Sequence, residues 1–288
     1  MNDQFLTIPT YGAEGVVHVY NLCYTEKLFC WGGLLMKDLF ISKVKPVFEL
    51  RWKPNKDLLV VLVSWFLVLG ALYTATTIVG PTTGGGLPYF FLYAVLTATI
   101  FGIGIPVFWL VFVQKRPIKD LGITFNHLFL SLGLQAVFAI IVLPGGFSGL
   151  FPLSLETILP LLGLSLSIGF FEAVFWRGWV LMRLEEAFGF LPAAIIGSVL
   201  YAVYHIGYDM PLSEITFLFF IGLMYAVVFR ITRSIFILWP IFQPGGQLIT
   251  LINEGLNLPL ISTLGFVEIL FVMILIVWLG NRYYKRQK

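Results

Sequence analysis

From Leu58 to the C-terminus the chain is a succession of long apolar runs separated by short polar breaks. No residue from Leu58 to Val113 is Asp, Glu, Lys or Arg, a charge-free stretch long enough for two helical membrane spans and the turn between them. Cut at the polar breaks, the runs predict eight spans, over residues 58 to 79, 88 to 113, 127 to 144, 157 to 184, 190 to 208, 214 to 230, 234 to 251 and 262 to 280. Each is near the ~20 residues that a bilayer requires. The expected fold is therefore all-α, a polytopic membrane bundle of about eight transmembrane helices over residues 58 to 288. Residues 1 to 57 mix charge and apolarity too closely for a span: Lys37, Asp38, Lys43 and Lys45 stand beside Leu34, Leu35, Leu39 and Phe40. This first segment reads either as amphipathic helix lying on the inner membrane surface or as a cap packed on the bundle.

Composition narrows the class further. With 59% hydrophobic and 11% charged residues and a mean hydropathy of +0.93, the chain cannot present a soluble surface over most of its length. The net charge of +3 gives no footprint for a nucleic-acid partner, because the basic residues sit in clusters between apolar runs. They fall before the first span (Arg51, Lys53, Lys56) and after the second (Lys115, Arg116, Lys119), fourth (Arg183), sixth (Arg230, Arg233) and eighth (Arg282, Lys285, Arg286). The alternate loops, 80 to 87, 145 to 155 and 253 to 262, carry no Lys or Arg. The positive-inside rule then puts both termini in the cytoplasm, in a membrane of the bacterial cytoplasmic type. The first residues lack a basic stretch followed by an apolar one, so no cleaved signal peptide is expected. Cys23 and Cys30 stand with six residues between them and without a second pair, and read as half-buried apolar side chains rather than as a metal knuckle.

A few polar residues interrupt the spans, and an ionisable group at membrane depth is a site hypothesis by default. In the fourth run Glu172 precedes Arg177 by five residues, and Gly178 follows where a neighbour could approach closely. In the fifth, Tyr201 and His205 are four apart and so share a helical face. In the seventh, Gln243 and Gln247 flank a Pro-Gly-Gly break, and broken backbone is tolerated at membrane depth only where protein or a cavity encloses it. At about 1.5 Å of rise per residue, Glu172, His205 and the two glutamines come to one level, about 14 to 22 Å from the basic ends of their helices. Such a cavity suits a carboxylate acting as general base on water with an imidazole orienting it. It equally suits a polar cluster that pins three helices together, with Arg177 pairing either Glu172 or a terminal carboxylate.

These residues resemble a family, the CAAX-processing and bacteriocin-processing (CPBP, or Abi) intramembrane endopeptidases. Glu172-Ala-Val-Phe-Trp-Arg177-Gly178 is similar to its Glu-Glu-x-x-x-Arg motif with Ala173 in place of the second glutamate, and Tyr201-x-x-x-His205 is similar to its Phe-x-x-x-His motif. Arg230 to Pro240 resembles the approach to its last motif, His-x-x-x-Asn, and Lys119-Asp-Leu-Gly122-Ile resembles the loop before its core. The likeness covers residues 115 to 255. It implies peptide-bond hydrolysis near the membrane, with Glu172 as base and His205 orienting water or ligating a metal, and Arg177, Tyr201, Gln243 and Gln247 lining the cavity. The motif set is degenerate: Gln243 and Gln247 occupy the positions of the last histidine and asparagine. A catalytic zinc takes three protein ligands from His, Asp, Glu or Cys, so a zinc ion has an incomplete ligand set here, with Glu172 and His205 alone.

Three functions follow from the sequence. The first is an endopeptidase of impaired or altered catalysis acting on a membrane-bound or prenylated peptide. The second is a protease-like scaffold that binds such a peptide or a membrane protein partner without hydrolysis. The third is a small transporter, which the absence of an internal repeat opposes. Membrane lipid surrounds all three.

Overall fold

The computed structural model describes residues 48–83, 86–143 and 153–288. The chain divides after Glu49, and every contact discussed below lies within Leu50–Lys288. The amphipathic or capping segment expected over residues 1 to 57 falls mostly on residues 1–47, outside the described residues, as do His18, Cys23 and Cys30. Among the described residues there is helix and turn and no strand.

Among the described residues, eight helices lie over the apolar runs. Six are long and apolar enough to cross a membrane: α1 (Lys56–Thr82), α2 (Gly86–Val113), α4 (Leu155–Phe188), α5 (Phe190–Tyr208), α6 (Leu212–Thr232) and α8 (Ser262–Arg286). The other two are short, α3 (Leu128–Val142) at 15 residues and α7 (Phe242–Asn253) at 12. At about 1.5 Å per residue these reach about 22 and 18 Å, less than the ~30 Å hydrocarbon core. Among the described residues six helices are thus long enough to cross, where the apolar runs predict about eight.

The outside of this bundle is apolar and its inside is partly polar, the reverse of a soluble protein. On α3 the exposed side chains are Phe129, Leu130, Val137, Ile140 and Ile141, while Ser131, Gln135 and Ala139, one helical turn apart, face inward. Phe66 on α1, Phe217 and Phe220 on α6 and Phe271 on α8 are likewise exposed. Such a surface is stable only where hydrocarbon covers it. The protein is an integral membrane protein.

Helix α4 is the axis of the bundle. Every residue from Gly169 to Leu184 is buried, with α7 and α8 packed along its first half. Over Ala173–Leu181 the helix widens into π-helical turns, a rare geometry that recurs at functional sites. At Gly178 a 3-10 turn, Ile118–Leu121, meets it backbone to backbone: a Cβ on Gly178 would lie 2.0 Å from the Leu121 carbonyl oxygen. The close approach expected at this glycine is real, but the neighbour is a turn rather than a helix.

The basic clusters meet at one end. Arg116 pairs with Asp120 at 2.8 Å and with Glu186 at 2.7 Å, Arg183 pairs with Glu186 at 3.0 Å, and Glu185 takes both Arg230 and Arg233. The hydrogen bond to Glu186 holds the Arg116 guanidinium above its ordinary pKa and thus fully charged. Being half-exposed, the Arg116 pairs contribute at most about 1 kcal/mol each. Their information is topological, since the breaks after α2, α4 and α6 share an end.

The seventh apolar run departs most from expectation. Residues 234 to 241 are not α-helical: Ile235–Ile237 forms a 3-10 turn and the helix begins only at Phe242. Pro240 cannot donate within a helix, and the residue before a proline is biased away from helical backbone. Pro244 sits in the first turn of α7, where a missing N–H costs nothing. The irregular backbone survives at membrane depth because a side chain caps it. Gln135, fully buried on α3, accepts from the N–H of Ile241 at 2.9 Å and of Phe242 at 3.3 Å, and donates to the carbonyl of Phe236 at 3.1 Å. Ser234 and Ile235 are tied in the same way to the carbonyls of Thr124 and Gly122.

Candidate functional site

Starting α7 at mid-depth brings its first turn against α4. A Cβ on Gly169 would lie 2.6 Å from the Pro244 ring and 3.5 Å from the Gln247 Oε1, so the missing side chain lets α7 approach. One turn on, Glu172 is 3% exposed. Its carboxylate accepts three hydrogen bonds: from Gln243 Nε2 at 2.6 Å and the Tyr201 hydroxyl at 3.4 Å on Oε2, and from the Tyr204 hydroxyl at 2.5 Å on Oε1. A buried charge is tolerable only when its oxygens are so filled. Helices α4, α5 and α7 therefore meet at one carboxylate.

Tyr204 was not among the residues singled out from sequence, although the signal was present. Helix α5 stays α-helical to Val203 and tightens to a 3-10 turn over Tyr204–Tyr208. Tyr201 and Tyr204, three apart, then come to the same side. Attention to the Tyr-x-x-x-His spacing passed over the tyrosine next to the histidine.

His205 is buried in a cage of aromatic rings, with centroids at 5.0 Å from Tyr201, 4.2 Å from Tyr204 and 5.6 Å from Tyr208. Its Nδ1 lies 2.8 Å from the Tyr201 carbonyl oxygen. A carbonyl only accepts, so Nδ1 carries the proton and Nε2 presents the lone pair. The imidazole is bonded to its own helix and packs against Tyr204, and among the described residues it makes no hydrogen bond to Glu172.

Arg177 forms no ion pair with Glu172. It is 1% exposed, and its guanidinium lies over the rings of Tyr201 at 5.1 Å and Tyr225 at 5.7 Å. Both terminal nitrogens lack a hydrogen-bond partner among the described residues, as do Trp176 Nε1 next to it, Gln243 Oε1 and Gln247 Oε1. Buried polar atoms left in this way are uncommon and each calls for an explanation. His127, in the turn before α3, and Glu268 on α8 are exposed and stand outside the cluster.

A zinc ion does not fit the residues present. Among the described residues no three His, Cys, Asp or Glu side chains are grouped to hold a metal ion. Around Glu172 the neighbours are phenols and an amide, and Gln243 turns its N–H rather than its oxygen to the carboxylate. Phenol hydroxyls and an amide donor complete a carboxylate without metal; they do not complete a tetrahedral zinc site.

Residues 153–242 match the model of a protein family described as Rce1-like, type II CAAX prenyl endopeptidase Rce1-like. No curated protein and no solved structure matches the chain. The matched stretch holds Glu172, Arg177, Tyr201 and His205 and ends just before Gln243, so the CPBP resemblance read from those residues is a family match over this part of the chain.

Proposed function

We propose that this protein receives the C-terminal or membrane-proximal part of a prenylated or otherwise hydrophobic peptide in an intramembrane site built on the CAAX-endopeptidase fold, and holds it without metal-assisted hydrolysis. The substrate class follows from the family description. The observation that carries the second half is the state of Glu172, whose two oxygens accept hydrogen bonds from Gln243, Tyr201 and Tyr204. A general base must reach the proton it takes, and here each oxygen of the carboxylate already accepts a hydrogen bond from the protein. The basic end of the bundle faces the cytoplasm on this reading, by the positive-inside rule, in a cytoplasmic-type membrane.

The family match supports a second reading, slow hydrolysis with Glu172 as base and His205 assisting. It requires a water molecule to reach Oε1, beside the Tyr204 hydroxyl or in its place. The two part on one experiment: purified protein in detergent, supplied with zinc and a prenylated peptide, should bind the peptide and release no fragment. Cleavage that disappears in Glu172→Gln would contradict the binding-only reading and establish the second.

A further inference from the structure

The unpartnered atoms of the site have a pattern that neither reading explains. Two are donors, the Arg177 guanidinium and Trp176 Nε1, and two are acceptors, Gln243 Oε1 and Gln247 Oε1. Gln243 turns its N–H end to Glu172, at 2.6 Å, and its oxygen away from it. All four side chains gather round the same carboxylate. Arg177 and Trp176 both pack on Tyr201, whose hydroxyl reaches Glu172; Gln243 donates to Glu172 directly, and Gln247 Oε1 faces Gly169 one turn before it.

A ligand that satisfies this set must accept and donate at neighbouring points. A hydrocarbon tail does neither. A phosphate or carboxylate would satisfy Arg177 and Trp176 but set its oxygens against the two glutamine oxygens. A cation would be repelled by the guanidinium. A peptide group, with its C=O and N–H one bond apart, does both.

We infer that Arg177, Trp176, Gln243 and Gln247 form the subsite for one backbone amide of the bound peptide. Its carbonyl oxygen accepts from Arg177 and Trp176, and its N–H donates to the Gln247 oxygen. The inference rests on the peptide-binding reading above and adds which bond of the peptide is held, and by what. Recognition then lies in main-chain groups near the anchored end rather than in side chains, so the site accepts varied sequences of suitable hydrophobicity.

The test is an ester scan by fluorescence anisotropy on the full chain in detergent. A labelled hydrophobic peptide is prepared in versions that replace one amide N–H at a time by an ester oxygen. One position should weaken binding about tenfold, the effect of leaving one buried acceptor unpaired, and the others should have little effect. In Gln247→Leu, whose side chain is only half-buried, that position should lose its special sensitivity. Arg177→Lys should weaken all versions alike, with the thermal midpoint reporting whether the variant still folds. A flat scan with tight binding, or a sensitive position unchanged in Gln247→Leu, would overturn the inference and leave the peptide-binding reading standing. Failure of every version to bind would overturn both.

Discussion

Gly178→Ala is expected to lower the thermal midpoint of the detergent-solubilised protein by roughly 6–12 °C, the effect of about 3 kcal/mol on a chain of this size. Added bulk in a packed interior ordinarily costs about 1–3 kcal/mol because side chains shift to admit it. Here the obstacle is main chain: the new methyl would lie 2.0 Å from the Leu121 oxygen and 2.7 Å from its carbonyl carbon. The turn cannot retreat freely. Arg183 holds the Asp120 carbonyl at 3.0 Å, the Ile235 N–H holds the Gly122 carbonyl at 2.9 Å, and Gly122, at φ +69°, lies against the Phe229 ring. The turn, α4 and the entry to α7 would have to move together. A midpoint within about 1 °C of the parent, measured by fluorescence-detected gel filtration, would mean that this contact is not tight.

The second large effect is expected at Gln135. Replacing it by Leu keeps the shape of the residue and strands two backbone N–H groups, of Ile241 and Phe242, and the carbonyl of Phe236. Each unpaired buried group costs about 1–3 kcal/mol, and in hydrocarbon no water replaces the lost partner. Gln135→Leu should therefore destabilise by about 3–9 kcal/mol, summed over the stranded groups. Ser131→Ala is the matched control. Ser131 lies on the same face of α3 and is as deeply buried, but its hydroxyl has no partner among the described residues, and its removal should be nearly neutral. Equal midpoints for the two variants would show that burial on α3, not the capping of the broken backbone, sets the cost.

The positions of the helices were legible in the sequence because an apolar run with a polar break at each end has few other uses. What the runs could not reveal was length: 234 to 241 is as apolar as any span, yet Pro240 and the capping by Gln135 keep it out of the α-helix. Hydropathy does not register a distant side chain that satisfies a backbone. In the site, counting depth along the helices placed Glu172 and Gln243 at one level, where they meet. The same count placed His205 there too, but the tightening of α5 after Val203 turned Tyr204 toward the carboxylate and left the histidine bonded to its own helix. For Arg177 the sequence offered Glu172 or a terminal carboxylate as partner; Tyr201 and Tyr225 hold it over their rings instead. Pair spacing on an ideal helix cannot anticipate a π-helical stretch that begins at Ala173.

The account stands or falls on the meeting of α4 and α7 at the Glu172 carboxylate. A double-mutant cycle on unfolding stability, with Glu172→Leu, Gln243→Leu and the pair, measures that meeting directly. The 2.6 Å charge-assisted hydrogen bond predicts that Gln243→Leu is costly when the carboxylate is present and cheap when it is absent, with a coupling of about 1.5–3 kcal/mol. Strictly additive effects would mean that the two side chains do not touch in the membrane, and would contradict the site as described.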